Sequence, residues 1–202
     1  MHPNRKFHLT DGESMTDFVR HEGFGTLIAK AGDGMRAVHV PILLDGERLR
    51  FHVSRSNEVH PGLMAGENVL VVVNGPHAYV SPDWYGLDDR VPTWNYVAVE
   101  LEGRVRPLDT AELGKLLDDL AHEHESRLAP KPAWTRDRMS PERFEGLMKA
   151  ITGFEMAIAS WRGTAKIDQD KPEDVRRRIA DALHRKGEGP MAALMRSGFP
   201  GK

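Results

Sequence analysis

The sequence predicts a mainly β protein, an antiparallel barrel or sandwich with helices at its periphery (α+β). Two observations lead to this class, and a third shows that the fold needs no disulfides. Short apolar runs follow one another between residues 24 and 106, separated by turn-forming residues. Helical patterns are confined to the segments before and after this region. The 202 residues include no cysteine, so a core of this size forms without disulfides or metal thiolates.

The first three predicted strands are joined by tight turns. Residues 24–30 are followed by the sequence AGDG, and residues 35–44 are followed by an Asp-Gly pair. Gly-rich and Asp-Gly pairs between apolar runs are the strongest short-range indication of a hairpin. Residues 48–54 form the next apolar run. The sheet is therefore predicted to begin with consecutive antiparallel strands.

Further strands complete the predicted sheet. Residues 68–74, NVLVVVN, form a nearly continuous β-branched run, which predicts a strand buried on both faces. The short run HAYVS follows it, and residues 94–108 alternate apolar with polar or small side chains, as a half-buried strand does. Residues 153–163 alternate again. This last strand is predicted to close the barrel.

Helices are predicted where a capping residue precedes apolar residues at helical spacing. Asp11 begins the first helix, Asp109 and Glu112 form a capping box at the second, and Ser140 caps the third. The last helix begins near Pro172, with acidic residues early and basic residues late, as the helix dipole favours.

These elements form one predicted domain over residues 1–187, followed by a loose C-terminal tail over residues 188–202. No apolar run reaches the length of about 18 residues that a membrane span needs. The first residues, MHPNRKFHLTDGES, lack the apolar segment of a signal peptide. We therefore expect a cytoplasmic protein without a membrane partner.

The charge of the chain is balanced, with 28 Lys and Arg against 30 Asp and Glu and a formal net charge of −2. This balance argues against broad electrostatic binding to nucleic acid. Three consecutive arginines, Arg176, Arg177 and Arg178, lie on the last predicted helix. A solvated helix face is the commoner explanation of such a run, and no helix-turn-helix pattern accompanies it. DNA is therefore a partner that the charge does not support.

The sequence lacks the common motifs of catalytic and nucleotide sites. It contains no GxSxG, no GxGxxG and no GxxxxGK[ST]. His122 and His124 are two residues apart on a predicted helix and point to different faces, and HExxH spacing is absent. We therefore expect no metal site and name no catalytic residue.

Two groups of side chains have both a functional and a structural interpretation. The segment HVSRSN (52–57) places guanidinium and hydroxyl donors after a strand, where they could bind phosphate oxygens or simply cap a strand-to-helix junction. Two of the four tryptophans and all three tyrosines lie within residues 75–96. Aromatic residues this dense either pack one end of a barrel or form a wall for a flat ring.

Four segments together are similar to the PaiB family of FMN-binding negative transcriptional regulators over roughly residues 1–185. They are GPHAYVSPDWY (75–85), VPTWNYVAVELEGRVR (91–106), the earlier FHVSRSN and the later GFEMAIASWRGTAKIDQDKPED. The resemblance implies an antiparallel split β-barrel of the FMN-binding type. It also implies a homodimer with FMN bound at the dimer interface.

The resemblance suggests which residues of this chain hold the cofactor. Split-barrel flavoproteins bind the FMN phosphate with basic and hydroxyl residues on adjacent strands, and later segments reach the flavin of the other subunit. The candidate cofactor-binding residues are Arg36, His39, His52, Ser54, Arg55, Asn57, Trp94, Asn95, Lys166 and Gln169. The segment KIDQD departs from a KLSQN-like pattern at Asp168 and Asp170. Two carboxylates beside a phosphate would oppose its binding.

The predicted function is that of an FMN-binding, dimeric transcriptional regulator. One alternative is a flavin-dependent oxidoreductase of the same barrel class, because a bound flavin supplies hydride chemistry to any substrate that reaches it. Another is a barrel that has lost its flavin and acts as an interaction module. A flavin absorbance spectrum separates the last alternative from the other two.

Overall fold

A computed structural model describes residues 1–199 of the protein. Its β-strands follow one another much as the turn residues of the sequence indicate. Their bounds are β1 His8–Leu9, β2 Phe24–Ala31, β3 Gly34–Asp45, β4 Arg48–Ser54, β5 Asn68–Val80, β6 Thr93–Pro107 and β7 Ile151–Lys166. The α-helices are α1 Gly12–Glu22, α2 His60–Met64, α3 Thr110–Ser126, α4 Pro141–Met148, α5 Glu173–Arg185 and α6 Gly189–Ser197.

The strands form one sheet in the order β1-β7-β4-β3-β2-β5-β6, and β6 also pairs with β7. This additional pairing closes the strand order on itself, as in a barrel. The pairs with a resolved register are antiparallel: β1–β7, β2–β3, β2–β5, β3–β4 and β4–β7. A mainly antiparallel sheet with peripheral helices confirms the predicted fold class.

Tight turns set the register of the first hairpins, as the sequence predicts. Ala31 pairs with Gly34, and Asp45 pairs with Arg48, so each connection holds two residues. Gly32 and Gly46 adopt φ values of +60° and +57°, which the left-handed turn positions require and which glycine adopts without steric cost. Turn chemistry thus fixes which side chains of β2, β3 and β4 face the core.

Two compact units make up the chain. One comprises residues 19–72 and 101–161. Its core contains the cross-strand pair Phe51 and Phe154, which lie opposite each other on β4 and β7 with ring centroids 5.9 Å apart. Gly103 on β6 approaches β7 so closely that a Cβ there would lie 2.0 Å from the carbonyl oxygen of Ala157. Only glycine permits this approach between the strands.

The other unit comprises residues 1–18 and 73–100 together with the described chain from Arg162 onward. Helices α5 and α6 pack against each other within it and bury apolar residues of both. The aromatic ring of Phe199, which follows α6, lies 5.8 Å from that of Phe18. The C-terminal helices are therefore part of the core of this unit.

Two expectations differ from the structure. Residues 189–197, expected within a loose tail, form α6 with Met191 and Met195 buried; residues 200–202 lie outside the described residues. Pro190 at the start of the helix and the spacing of four between these methionines account for it. The strand β5 is not buried on both faces over residues 68–74, because buried and partly exposed residues alternate along it.

Candidate functional site

The predicted cofactor residues fall into two groups, one in each compact unit. Arg36, His39 and residues 52–57 belong to the unit built on residues 19–72 and 101–161. Trp94, Asn95, Lys166 and Gln169 belong to the other unit. Each group has its own geometry.

The end of β4 presents a set of hydrogen-bond donors to solvent, here called the β4 cluster and comprising Ser54, Arg55 and Ser56. All three residues are exposed. The hydroxyl groups of Ser54 and Ser56 lie 2.9 Å apart. Arg55 donates from Nε to the carbonyl oxygen of Ile151 at 3.0 Å, which fixes the guanidinium while its terminal nitrogens make no hydrogen bond within residues 1–199. The cluster is therefore an oriented guanidinium beside two hydroxyl groups.

Asn57 has a local structural role next to the β4 cluster. Its Oδ1 accepts a hydrogen bond from the backbone N–H of Val59 at 3.2 Å, and its own N–H donates to the carbonyl oxygen of Ser54 at 3.0 Å. These bonds form the turn that leads into α2. Asn57 therefore has the structural role that the sequence allowed, at the junction between β4 and α2, whereas the three side chains before it are exposed.

Arg36 reaches the segment that follows the β4 cluster. Its Nε donates to Oε2 of Glu58 at 2.8 Å, and both side chains are exposed. An exposed pair of this kind stabilises the fold by less than about 1 kcal/mol, so the guanidinium can exchange partners at little cost. Arg36 is therefore bound to Glu58, the second residue after Ser56.

The two predicted histidines have different surroundings. His39 lies three residues after Arg36 on β3, hence on the opposite face, where its ring stacks on Phe24 at 6.5 Å. Its Nδ1 lies 3.2 Å from the hydroxyl of Thr26. His52 is half-buried, and its buried Nδ1 has no hydrogen-bond partner within the described chain. Burial lowers the pKa of His52, because it penalises the charged imidazolium.

Three aromatic side chains form an exposed group on neighbouring strands, here called the aromatic cluster. The ring of Trp94 lies 5.8 Å from that of His77 and 6.2 Å from that of Tyr79. Trp94 is 55% exposed and Tyr79 is 47% exposed. From the sequence alone, these aromatic residues could either pack one end of a barrel or form a wall for a flat ring. Their exposure shows that the rings are not enclosed in the core of the chain.

Asn95, which follows Trp94, points inward. It is fully buried, and its Nδ2 donates to Oδ2 of Asp168 at 2.8 Å and contacts Sδ of Met195 at 3.6 Å. The hydroxyl of Tyr85 donates to Oδ1 of the same carboxylate at 3.5 Å. Burial and the neighbouring charge of Asp168 raise the pKa of Tyr85 to about 12. The free chain thus uses Asn95 to bind Asp168.

Lys166 and Gln169 are also engaged within the chain. The Lys166 ammonium donates to Oγ1 of Thr93 and to the carbonyl oxygen of Trp94, both at 2.6 Å. Burial lowers its pKa, although the charges of Asp168 and Asp170 oppose the shift. Gln169 accepts from the N–H of Ile167 at 2.9 Å and donates to the carbonyl oxygen of Ala165 at 2.6 Å. Lys166 therefore holds the backbone that carries Trp94, and Gln169 closes a turn. Their assignment to the cofactor stays a prediction.

Asp170 is compensated by two lysines that the sequence analysis did not connect with it. Its Oδ2 accepts from Nζ of Lys6 at 2.6 Å and from Nζ of Lys171 at 3.3 Å. Burial alone would raise the pKa of Asp170, but these two cations outweigh it and lower the pKa. Lys6 lies far away in sequence, so no local pattern indicates the pair.

Two of the three arginines in the run on α5 form ion pairs within the helix. Arg177 pairs with Glu173 at 2.6 Å, and Arg178 pairs with Asp174 at 3.0 Å, each one helical turn earlier. Arg178 also donates to the carbonyl oxygen of Tyr85 at 2.9 Å. These contacts neutralise two of the three arginines, whereas the third, Arg176, is partly buried and its Nε has no hydrogen-bond partner within residues 1–199.

Residues 1–199 contain neither a membrane-spanning helix nor a cluster of metal-binding side chains. No helix there is long and apolar enough to cross a membrane. No group of three or more histidine, cysteine, aspartate or glutamate side chains there is arranged to hold a metal ion.

Comparison of the sequence with known families and proteins identifies relatives along almost all of the chain. The family described as "Putative FMN-binding domain" matches residues 1–160. The protease synthase and sporulation protein PAI 2 of Bacillus subtilis is 30% identical over 199 residues, 96% of this chain and 94% of the relative. The uncharacterized protein YKL070W of Saccharomyces cerevisiae is 30% identical over 122 residues, 55% of this chain and 70% of that protein.

Solved structures share the fold. The FAD and heme binding protein of Mycobacterium smegmatis has a TM-score of 0.59 at 18% identity, covering 83% of this chain and 78% of that one. The flavocytochrome Anf3 of Azotobacter vinelandii has a TM-score of 0.60 at 14% identity, covering 82% and 72%. At these identities the likeness concerns the fold. It agrees with the predicted split barrel.

Proposed function

The chain belongs to the FMN-binding domain family that includes PAI 2 of Bacillus subtilis, and from this premise we propose that it is an FMN-binding regulatory protein. The family match over residues 1–160 is the observation that carries the proposal. The similarity to PAI 2 covers 96% of this chain and 94% of the relative, which supports applying the proposal beyond residue 160.

The β4 cluster has the chemistry that a phosphate requires. A guanidinium presents paired N–H groups that match two phosphate oxygens, and hydroxyl groups add neutral donors. Arg55 is held by one bond to Ile151, and its outer nitrogens stay available. The FMN phosphate would therefore bind Arg55, Ser54 and Ser56, with Arg36 released from Glu58 to complete the charge. Asn57 supports this group by forming the turn behind it.

The aromatic cluster has the chemistry that the flavin ring requires. Trp94 exposes a flat apolar face, and Tyr79 and His77 widen it. Aromatic stacking contributes about 0.5–1.5 kcal/mol beyond the area that it buries. Lys166 fixes the backbone of Trp94 and so positions this face. When bound, FMN would supply hydride and electron-transfer chemistry to a regulatory or catalytic partner.

The proposed assembly is a homodimer in which the flavin sites are shared. Large apolar side chains remain exposed on the single chain, among them Trp94 at 55%, Phe24 at 55% and Met35 at 57%. A second copy related by a two-fold axis would bury the same patches on both chains. Each site would then combine the β4 cluster of one copy with the aromatic cluster of the other.

Regulation by this protein would not rest on direct DNA contact through α5. Arg177 and Arg178 are already paired with Glu173 and Asp174, and the formal net charge of the chain is −2. Binding to DNA requires free cations that displace counterions from phosphates. We propose that the protein acts through a protein partner or through its flavin.

The experiment that tests the proposed function is a flavin titration of the purified protein. FMN should bind and change its visible absorbance spectrum, whereas riboflavin, which lacks the phosphate, should bind more weakly. Steady-state NAD(P)H oxidation by the loaded protein would assign it to the oxidoreductases. Failure to bind FMN at all would favour the interaction module and overturn the proposal.

A further inference from the structure

The pairing of β3 with β4 stops while both strands continue. Their register ends with Ile42 opposite Phe51. Beyond this point β3 stays paired with β2 on its other side, and β4 stays paired with β7 as far as Ser54. The same register would next place Pro41 opposite His52, but this pair is not part of it. The two strands therefore separate at Pro41.

The chemistry of proline accounts for this end of the ladder. In an antiparallel sheet, successive residues of a strand direct their N–H and C=O groups alternately toward one neighbouring strand and the other. The N–H of Ile42 donates at 3.0 Å to the carbonyl oxygen of Gly23, which directly precedes β2. Position 41 is therefore directed toward β4, where an N–H would donate to the carbonyl oxygen of His52. Proline has no N–H, so this ladder bond cannot form.

Side chains span the opening beyond Pro41. The Nε of Arg36 on β3 donates to Oε2 of Glu58 at 2.8 Å, and both side chains are exposed. If the ladder continued, its register would place Arg36 opposite Asn57, the neighbour of Glu58. Two long side chains thus connect segments that a closed ladder would connect by backbone bonds. Their exposure shows that solvent reaches the opening.

The opening lies beside the β4 cluster. A closed ladder would place His39 directly opposite Ser54, with the two Cβ atoms about 4.5–5.5 Å apart. The imidazole would then cover the hydroxyl group at the start of the cluster. In the structure, the ring of His39 contacts Phe24 and Thr26 of β2 instead. Within residues 1–199, the hydroxyl of Ser54 makes hydrogen bonds only with Ser56.

We propose that Pro41 is a positioning residue for the phosphate group of the flavin: it ends the β3–β4 ladder and so keeps the donors of the β4 cluster accessible. This inference rests on the proposed binding of FMN by that cluster. Pro41 acts through the backbone and needs no contact with the ligand. The property that matters is the missing N–H, because a residue that has one would let the ladder extend toward Ser54.

The test compares the wild-type chain with Pro41→Val and Pro41→Ala in fluorescence titrations with FMN and with riboflavin. Both variants restore the N–H, one with a large side chain and one with a small side chain. Both should weaken FMN binding about tenfold, as expected when one charge-assisted hydrogen bond to the phosphate is blocked. Riboflavin, which lacks the phosphate, should bind with little change.

Pro107→Val is the matched control. Pro107 is, like Pro41, a partly exposed proline of a strand in the same unit, and β7 lies between its strand β6 and β4. This variant should leave the affinities for both flavins unchanged. Urea unfolding of all variants identifies any that does not fold.

Amide hydrogen exchange measures the ladder itself. In Pro41→Val and Pro41→Ala, the new N–H of residue 41 should exchange slowly, because a ladder hydrogen bond protects an amide until the strands open. The measurement needs no flavin. It therefore separates closure of the ladder from any effect on the ligand.

Selective loss of FMN affinity together with a protected amide at residue 41 supports the proposal. Unchanged FMN binding in both variants overturns it and leaves the proposed flavin function standing. An unprotected amide, equal weakening of FMN and riboflavin, or the same loss in Pro107→Val also overturns it, because Pro41 would then not act by keeping the strands apart at the phosphate site. If the wild-type chain binds no FMN, the proposed function is wrong and the role of Pro41 is wrong with it.

Discussion

Asn95 on β6 donates a hydrogen bond of 2.8 Å to the carboxylate of Asp168, which lies just after β7, and both side chains are buried. This hydrogen bond explains why Asp168 occupies the position at which the KLSQN-like pattern has a serine. Asp168 has a φ of +56°, a left-handed conformation that aspartate tolerates better than most residues. Its charge is directed into the chain, where Asn95 and Tyr85 bind it. Asp168 is therefore a structural anchor for the strand that carries Trp94.

The first prediction concerns the stability of this anchor. Asp168→Ala should lower the free energy of unfolding by about 2–3 kcal/mol, because a buried hydrogen bond to a charged group is lost and Asn95 stays unsatisfied. Asp170→Asn is the matched control: its ion pairs with Lys6 and Lys171 are partly exposed and should cost less than about 1 kcal/mol. Urea unfolding of the three proteins measures both values. Equal losses would contradict the anchor role.

The local elements were predictable from the sequence because their determinants are local. The Asp-Gly turn between β3 and β4 and the capping box of Asp109 and Glu112 on α3 each depend on residues a few positions apart, and the structure contains both. The burial of Asn95 and its hydrogen bond to Asp168 were not predictable, because Asp168 is far away in sequence. A polar residue beside an exposed tryptophan resembles a ligand-binding residue until its burial is known.

The candidate site residues also differ in how far local sequence determines their surroundings. Ser54, Arg55 and Ser56 lie at and directly after the end of β4; the sequence indicated this position after a strand, and the structure shows that the three side chains are exposed. The compensation of Asp170 by Lys6 required the tertiary structure, since the two residues come from opposite ends of the chain. Sequence patterns thus identify side chains that a strand presents, whereas pairings between distant segments decide which charges remain free.

The second prediction tests the phosphate site. Arg55→Ala should weaken FMN binding about tenfold or more, because a charge-assisted hydrogen bond contributes about 1.5–3 kcal/mol, and it should change riboflavin binding little. Arg20→Ala is the control, since Arg20 is an exposed arginine whose side chain makes no hydrogen bond within residues 1–199. Fluorescence titration with both flavins gives the affinities. A variant that loses FMN and riboflavin equally would show that Arg55 is structural.

The third prediction concerns acid stability. Bonds from Arg106 and from the backbone N–H of Asp109 lower the pKa of Glu112 from 4.5 to about 2. As the pH falls below 4.5, the unfolded chain takes up this proton before the folded chain does, so stability decreases until the folded pKa is reached. Glu112→Gln should therefore destabilise the protein more at about pH 6 than at about pH 3.

Urea unfolding at the two pH values measures this difference. Glu145→Gln serves as the control, because Glu145 is an exposed glutamate of α4 whose side chain makes no hydrogen bond within the described residues. It should change stability by a similar small amount at both pH values. If Glu112→Gln also destabilised the protein equally at both pH values, the ion pair of Glu112 with Arg106 would contribute nothing to the acid sensitivity of the fold.

The fourth prediction tests whether each flavin site is shared between two copies of the chain. Arg55→Ala removes the guanidinium that would bind the FMN phosphate, and Trp94→Ala removes the aromatic face that would stack on the flavin ring. At an FMN concentration near the wild-type dissociation constant, each single variant should lose FMN binding. In a mixed dimer of the two variants, one shared site collects both defects and the other collects none. Half of the flavin capacity should therefore return.

The reciprocal mixture makes this prediction sharper. A chain carrying both Arg55→Ala and Trp94→Ala is combined with the wild-type chain, and differently tagged copies allow the mixed dimers to be isolated. If the sites are shared, each site in this dimer has one defect and FMN binding is lost. If each chain binds its own flavin, the wild-type copy keeps its site and half of the capacity remains. The two mixtures thus give opposite results under the two arrangements, and binding only in the second mixture would show that the proposed shared site is wrong.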